Sequence, residues 1–171
     1  MNTILTTERS VLRELVPEDF DEVCNLLQDE RTMYAYEGAF SDAEVREWID
    51  RQIGRYRRDG FGLWGMVEKS SGKLIGQCGI TLQQWGERTV PEVGYLLRRD
   101  FWHRGFATEA ARACTDYAFV TLDIAEIFSI IRDTNMASQR VAIRNGMSPV
   151  GEFVKHYRGV DMPHIVYGKK R

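Results

Sequence analysis

The chain has 171 residues, of which 43% are hydrophobic and 28% charged, and its formal net charge is −2. This size and composition indicate one globular domain over residues 1–171 that can bury a sizeable core. The small net charge gives no electrostatic case for a nucleic-acid partner. No apolar run is long enough to span a membrane or to form a signal-peptide core, so we expect a cytoplasmic protein without a membrane partner.

Predicted elements alternate between strand and helix in the first third of the chain. Residues 11–15 favour an edge strand, and Pro17 suits the first position of a helix that carries an apolar stripe. Residues 31–40 have no period and contain three aromatic residues, so we predict a loop there. Ser41-Asp42-Ala43-Glu44 fits a capping box at the start of a second helix.

Strand signals predominate in the remainder of the chain. The predicted elements are strands over 61–68, 73–82, 91–98 and 125–131, a brief helix over 138–144, and strands over 150–155 and 164–167. A longer helix begins after Gly105, with Phe106, Ala110, Cys114 and Tyr117 on one face. Strand–helix–strand units favour parallel pairing and hairpins are antiparallel, so the fold class is α/β with a mixed sheet.

Gly105 lies between a predicted strand and a predicted helix, with Arg98, Arg99 and Arg104 before it. Free N–H groups at a helix start favour an anion, and a residue without Cβ lets a phosphate approach closely. A tight turn beside solvated arginines explains the glycine equally well. The segment lacks the spacing of a dinucleotide fingerprint or a P-loop.

Two segments carry the resemblance of this chain to a known family. The first is Glu92-Val93-Gly94-Tyr95-Leu96-Leu97 followed by Phe101-Trp102-His103-Arg104-Gly105-Phe106-Ala107-Thr108-Glu109-Ala110, and the second is Asn135-Met136-Ala137-Ser138 with Asn145-Gly146-Met147. They resemble the GNAT superfamily of acyl-CoA-dependent N-acetyltransferases, and more narrowly its RimJ/RimL-like branch, which includes ribosomal-protein N-terminal acetyltransferases. The opening segment Glu8-Arg9-Ser10-Val11-Leu12-Arg13 also fits that branch. Trp102 stands where the superfamily usually has Gln or Arg, and His103 where a small residue is common.

The resemblance implies a single GNAT-like domain with a mixed, mostly antiparallel sheet of about seven strands and about four helices. It implies acetyl-CoA as co-substrate and no metal. The implied cofactor-binding residues are the main-chain groups of Leu96, Leu97 and Arg98 for the pantetheine arm, the N–H groups of Arg104, Gly105, Phe106, Ala107 and Thr108 for the pyrophosphate, and Asn135 and Ser138 opposite them. Pantetheine amides need backbone-type partners, which a strand edge supplies.

The implied reaction is direct transfer of an acetyl group to a primary amine. Glu92 is the candidate general base, although a surface carboxylate in a strand is nearly as good an interpretation. The N–H of Leu97 is the candidate oxyanion donor. Many superfamily members use a tyrosine as general acid where this chain has Ala142, so Ser138 is the next candidate, with a helix N-cap as its alternative role.

Tyrosines, cysteines, histidines and loop aromatics are further candidates for roles in this reaction. Tyr157 and Tyr167 are fallback acids, each more readily explained by packing. Cys24, Cys78 and Cys114, with three scattered histidines, show neither a disulfide framework nor metal-ligand spacing, and packing explains the cysteines better than an acyl-enzyme does. The aromatic residues Tyr34, Tyr36, Phe40 and Trp85, with His156, are candidates for shaping an acceptor pocket.

We therefore expect an N-acetyltransferase whose acceptor is a protein N-terminus or a small-molecule amine, and which is a monomer or homodimer. A non-catalytic acyl-CoA-binding module on the same fold is the alternative, motivated by Ala142. A nucleotide-binding protein that uses the same helix start is a third possibility, disfavoured because no second phosphate motif is present.

Overall fold

The computed structural model describes residues 2–171. The strands are β1 (Thr3–Thr6), β2 (Ser10–Arg13), β3 (Leu63–Glu68), β4 (Leu74–Trp85), β5 (Arg88–Leu97), β6 (Glu126–Arg132), β7 (Ser148–Tyr157) and β8 (Val160–Lys170). The helices are α1 (Phe20–Leu27), α2 (Asp42–Asp59), α3 (Phe106–Val120) and α4 (Met136–Arg144). All eight strands form one sheet in the order β1-β2-β3-β4-β5-β6-β8-β7.

Neighbouring strands are antiparallel everywhere except between β5 and β6, which are parallel. A parallel pair needs a crossover, and α3 supplies it. The α/β class, the mixed and mostly antiparallel sheet and the four helices are thereby confirmed. The sheet has eight strands rather than about seven. The additional strand is β1, a four-residue edge strand whose two central residues are half-buried, so its apolar pattern is too short to identify from sequence.

Two helix starts show how local sequence fixes the elements. The capping box at α2 is confirmed, since the Ser41 hydroxyl accepts from the Glu44 N–H at 3.3 Å and the Glu44 carboxylate accepts from the Ser41 N–H at 2.8 Å. Helix α4 begins at Met136 because the Asn135 side chain is its N-cap and accepts from the Ser138 N–H at 3.1 Å. The N-cap interpretation of Ser138 is therefore wrong; it is the third residue of the helix.

Packing of α3 against the central strands fixes where its N-terminus lies. Phe106, Ala110, Cys114 and Ala118 are buried in one cluster with side chains from β3, β4 and β5. A second cluster joins α1 and α2 to β3 and β4. The Cys78 and Cys114 sulfur atoms are 3.6 Å apart within the first cluster, and neither side chain reaches solvent, so both are packing residues.

Candidate active site

A groove opens where β5 and β6 part. Glu92 and Phe128 are the aligned pair of the two strands, and one step farther the Ser129 hydroxyl donates to the Val93 carbonyl at 2.8 Å. Beyond that point α4 faces β5, and the Tyr95 hydroxyl donates to the Ser138 carbonyl at 2.6 Å. The groove belongs to a cavity of about 1580 Å³. That is larger than the usual small-molecule pocket of about 300–1,000 Å³ and leaves room for two ligands.

Main-chain groups of β5 face this groove at alternate residues. The Arg98 N–H donates to the Ile75 carbonyl of β4 at 2.9 Å, so the antiparallel ladder turns Leu96, two residues earlier, toward β4 as well. The same alternation turns the N–H and C=O groups of Tyr95 and Leu97 toward the groove. The Trp102 indole N–H reaches the Leu97 carbonyl at 2.9 Å, in agreement with this direction.

The expected pantetheine contacts need correction at Leu96, whose main-chain groups face β4, and at Arg98. Its N–H is held by β4, and its carbonyl accepts from the Phe101 N–H at 3.0 Å. Its side chain pairs with Glu22 at 3.7 Å and with Asp100 at 3.6 Å. Arg98 does not line the cavity, whereas Leu96 and Leu97 do. Strand register decides which main-chain groups face the groove, and a sequence pattern does not reveal that register.

The N-terminus of α3 lies at the far end of β5. Gly105 is the N-cap, with φ +81° and ψ 0°. Only glycine adopts that left-handed conformation without strain, so the turn requires this residue. Phe106, Ala107 and Thr108 are the first three residues of the helix, so their N–H groups have no partner within it. His103 also has a positive φ, +57°, and it lines the cavity.

Arg9 adds positive charge at this helix start, and sequence reasoning did not identify it. Its Nε donates to the Glu109 carboxylate at 2.7 Å, and its Nη1 donates to the Arg104 carbonyl at 2.8 Å. Its guanidinium lies 4.3 Å from the centre of the Phe106 ring. A Cβ on Gly105 would lie 3.3 Å from Arg9 Nη2. The available signal was the Glu8–Arg13 segment that resembles the family's opening.

Arginines from α3 and α4 continue the positive surface. Arg112, Arg140 and Arg144 line the cavity, and Arg112 donates to the Arg144 carbonyl at 2.8 Å. The Arg104 side chain turns to Glu68 at 3.4 Å and lines a small adjacent pocket instead. We call the part of the cavity lined by Gly105, Arg112 and Arg144 the α3 end. N–H groups and guanidinium groups together favour an anion there.

Glu92 lies about 16 Å from Leu97 along β5, at roughly 3.3 Å per residue. The side chain is half-buried, and its Oε2 accepts from the Ile130 N–H at 2.8 Å. Burial raises the Glu92 pKa to about 7, with the Ile130 hydrogen bond and the positive charges of Lys155 and Arg55 acting against the rise. A carboxylate of that pKa is matched to proton transfer at neutral pH. We call the part of the cavity around Glu92, Arg55 and Lys155 the Glu92 end.

Candidate acids lie at different depths. Ser138 lines the groove beside the Tyr95 bridge. Tyr157 lines the Glu92 end. Tyr167 is a core residue with 4% of its surface exposed, and its hydroxyl donates to the Gln139 side chain at 3.1 Å, so its role as a fallback acid is wrong. Ala142 is fully buried.

The expected pocket aromatics divide in two. Tyr34, Tyr36 and Phe40 line the cavity, and the Tyr34 hydroxyl donates to the Asn135 side chain at 2.7 Å. Trp85 packs on Phe128 with ring centres 5.7 Å apart, and His156 is exposed and pairs with Asp161; neither lines the cavity, so those two assignments are wrong.

Over residues 2–171 no cluster of three or more His, Cys, Asp or Glu side chains has the geometry to hold a metal ion. In the same part of the chain, no helix is long and apolar enough to cross a membrane. None of the three cysteines lines the cavity. The groups with acid–base capacity in the cavity are carboxylates, hydroxyls, the imidazoles of His103 and His164, and the side chains of lysine and arginine.

A strand that parts from its parallel neighbour, a helix N-terminus beyond its end and a half-buried carboxylate at its middle agree with what the GNAT resemblance implies. The family model described as Acetyltransferase (GNAT) domain matches residues 9–148, and the chain belongs to this family of acetyltransferases. The resemblance inferred from sequence is confirmed.

Relatives add detail. The chain is 36% identical to the Bacillus subtilis (strain 168) protein YkkB over 169 residues, which is 98% of this chain and 96% of that one. It is 30% identical to the Bacillus licheniformis N-acetyltransferase p20 over 146 residues, 84% of this chain and 80% of that one. Among solved structures, RimL, a ribosomal L7/L12 alpha-N-protein acetyltransferase in complex with coenzyme A, superimposes with a TM-score of 0.80 at 16% identity, covering 99% of this chain and 98% of that one. This last similarity shows the fold alone. RimL is one of the RimJ/RimL-like enzymes that the sequence resemblance names.

Proposed function

We propose that the protein is an acetyl-CoA-dependent N-acetyltransferase of the cytoplasm that moves an acetyl group directly to a primary amine, on a protein N-terminus or a small molecule. The observation that carries the proposal is the placement of Glu92, with its pKa of about 7, in the same cavity as the open N-terminus of α3. The α3 end suits a phosphate, and the Glu92 end holds a carboxylate that can accept a proton. The Bacillus licheniformis relative named as an N-acetyltransferase supports this proposal.

Coenzyme A would bind through three groups of residues. The N–H groups of Phe106, Ala107 and Thr108, with Gly105 leaving space, would hold the pyrophosphate. Arg112, Arg140 and Arg144 would add positive charge toward the remaining phosphate. The main-chain groups of Tyr95 and Leu97 that face the groove would pair with the pantetheine amides as an added strand would. RimL was crystallised with coenzyme A on the same fold, which supports this assignment.

Asn135 has an indirect part in this site. Its Oδ1 receives both the Ser138 N–H at 3.1 Å and the Tyr34 hydroxyl at 2.7 Å. It therefore fixes the start of α4 and ties it to the loop over the cavity. Asn135 positions Ser138 opposite β5, at the place where the cofactor arm would pass.

The chemistry needs an amine without its proton. Substrate ammonium groups have a pKa near 8 for an α-amino group and about 10.4 for a lysine-type amine. Glu92 in its charged form accepts that proton, directly or through one water, and the amine nitrogen then attacks the thioester carbonyl. A C–N bond forms and the C–S bond breaks. The Leu97 N–H lies about 16 Å from Glu92 along β5, too far for both groups to act on one acetyl carbonyl, so we assign it to the pantetheine arm and not to the oxyanion.

The departing thiolate has a conjugate-acid pKa of roughly 8.5, so it leaves with little help near neutral pH. Ser138 is the residue we assign to proton delivery, as a relay whose hydroxyl passes its proton to the thiolate and regains one from solvent, with Tyr157 or solvent as the other sources. None of the cysteines lines the cavity, which supports direct transfer over an acyl-enzyme. The replacement of the usual tyrosine by buried Ala142 favours the second candidate function, a non-catalytic acyl-CoA-binding module.

One experiment separates these two functions. The protein is incubated with acetyl-CoA and a panel of amines that includes peptide N-termini, polyamines and amino acids, while released thiol is followed and products are identified by mass spectrometry. We expect thiol release that depends on an amine and yields its N-acetyl derivative. Binding of acetyl-CoA without release for every amine would establish the non-catalytic module instead.

A further inference from the structure

Arg55 is a half-buried cation that the proposed mechanism leaves unused. It projects from α2 into the Glu92 end of the cavity. Its Nη1 donates to the Gln52 side chain at 3.1 Å. Burial lowers the Arg55 pKa, and the neighbouring charges of Arg51 and Arg58 lower it further, with the carboxylates of Asp59 and Glu92 acting against this fall.

No carboxylate among residues 2–171 forms a salt bridge with Arg55. The carboxylate of Asp59 is taken by Arg58, which donates to it twice, at 2.8 and 2.6 Å. Other arginines of the cavity wall are paired, Arg9 with Glu109 at 2.7 Å and Arg132 with Glu37 at 2.5 Å. A guanidinium stays charged even when buried, so an unpaired one in a cavity favours an anionic ligand.

The charges around Arg55 favour the same ligand. Arg51 and Lys155 line the same part of the cavity, and neither forms a salt bridge with another described residue. The carboxylates there are Glu44, Glu47 and Glu92. Glu44 is held by Ser41 and Arg158, and Glu92 has the role of base. Glu47 and the charged form of Glu92 therefore face three cations, which leaves one positive charge in excess.

We propose that the acceptor carries a carboxylate in addition to its amine, and that Arg55 binds this carboxylate while the amine faces Glu92. The proposal rests on the proposed function and names its substrate class as an amino acid, either free or as an acidic residue at the start of a peptide. A guanidinium fork fits a carboxylate through two parallel hydrogen bonds. Arg55 is thus a specificity residue and takes no part in bond making.

The test compares acceptors in matched pairs. Each of several free amino acids is assayed against its own carboxamide, and peptides beginning with Asp are assayed against peptides beginning with Asn. The pair that shows the preference identifies the source of the carboxylate. Rates are expressed per neutral amine. The variants are Arg55→Gln, Arg55→Lys and, as the matched control, Arg57→Gln, an exposed arginine of the same helix that does not line the cavity.

For the wild type we expect the carboxylate member of a pair to exceed its carboxamide roughly 10- to 100-fold in kcat/KM, mostly through KM. Arg55→Gln should bring that ratio close to one, Arg55→Lys should keep part of it, and Arg57→Gln should leave it unchanged. The ratio is taken within one variant, so loss of folded protein or a shifted Glu92 pKa cancels.

Three results would overturn this inference. The first is a wild-type ratio near one in every pair, and the second is a ratio that survives in Arg55→Gln. Acetyl-CoA that raises the melting temperature while no member of any pair is acetylated also overturns it and leaves the cofactor assignment standing. Absence of any melting-temperature shift with acetyl-CoA would instead refute the proposed function itself.

Discussion

Replacement of Glu92 by Gln separates its chemical role from its structural cost. Gln keeps an oxygen for the Ile130 N–H but cannot take a proton. We expect kcat to fall by about 10²- to 10⁴-fold, the usual contribution of a general base. In the wild type, kcat/KM should rise with pH through about 7, because the charged form of Glu92 predominates above its pKa. In Glu92→Gln only the titration of the amine should remain.

The same substitution should stabilise the folded protein at high pH. The unfolded side chain ionises near 4.5 and the folded one near 7, so between these values the unfolded state loses a proton that the folded state keeps. Glu92 therefore lowers the free energy of unfolding as pH rises from 4.5 to 7, and the loss persists above 7. At 1.36 kcal/mol per pKa unit this reaches at most about 3 kcal/mol, less any solvent screening of a half-buried group.

Denaturant unfolding at pH 5 and pH 8, alongside steady-state rates from pH 5.5 to 9, measures both effects on the same samples. Glu152→Gln, an exposed glutamate of β7 outside the cavity, is the matched control and should change neither. Activity of Glu92→Gln within a few-fold of the wild type would remove Glu92 as the base. A stability that depends on pH equally in both proteins would refute the raised pKa.

Three further outcomes are expected from substitutions along the groove. Gly105→Ala should lower the free energy of unfolding by roughly 1–2 kcal/mol, because its φ is left-handed. Gly60→Ala is the matched control: its φ is +78° and nothing lies within 4 Å of the added Cβ, so it should cost about the same. Isothermal titration should show weakened coenzyme A binding in Gly105→Ala alone. Asn135→Ala should lose about 0.5–2 kcal/mol in denaturant unfolding as an N-cap deletion, whereas Ser138→Ala should keep wild-type stability and lower kcat by about 10²-fold or less; an unchanged kcat would leave proton delivery to Tyr157 or solvent. Tyr95→Phe should lose about 0.5–1.5 kcal/mol with the 2.6 Å bond across the groove, and unchanged thermal and denaturant unfolding would show that this bond contributes nothing.

The family, the order of most elements and the glycine at the helix start could be predicted because they depend on local pattern. Gly105 lies between a strand and a helix in the sequence itself, and the Ser41 capping box is contained in four residues. Glu92 was named as the base from its place in the Glu92–Leu97 segment, which carries part of the family resemblance. What raises the Glu92 pKa is burial, which depends on how distant elements pack in the folded chain, and no local pattern carries that.

Errors arose where long-range geometry decides. Arg98 was assigned to the cofactor because the resemblance implies pantetheine contacts along the predicted strand 91–98, yet the register turns its N–H toward Ile75. The Ser138 error is local instead, because Asn135, three residues earlier, is an equally good capping residue and is the one that caps α4. Arg9 binds Glu109 near the start of α3, and the two residues are 100 positions apart in the sequence. Its role therefore became visible only in the folded chain.

A crystal structure of the protein with coenzyme A tests most directly whether the groove between β5 and α4 is the cofactor site. We predict the pyrophosphate within hydrogen-bond distance of the N–H groups of Phe106, Ala107 and Thr108, the pantetheine arm paired with the main chain of Tyr95 and Leu97, and the thiol directed toward Glu92. A fully occupied ligand bound elsewhere, or no bound ligand at millimolar coenzyme A, would contradict the assignment of this groove.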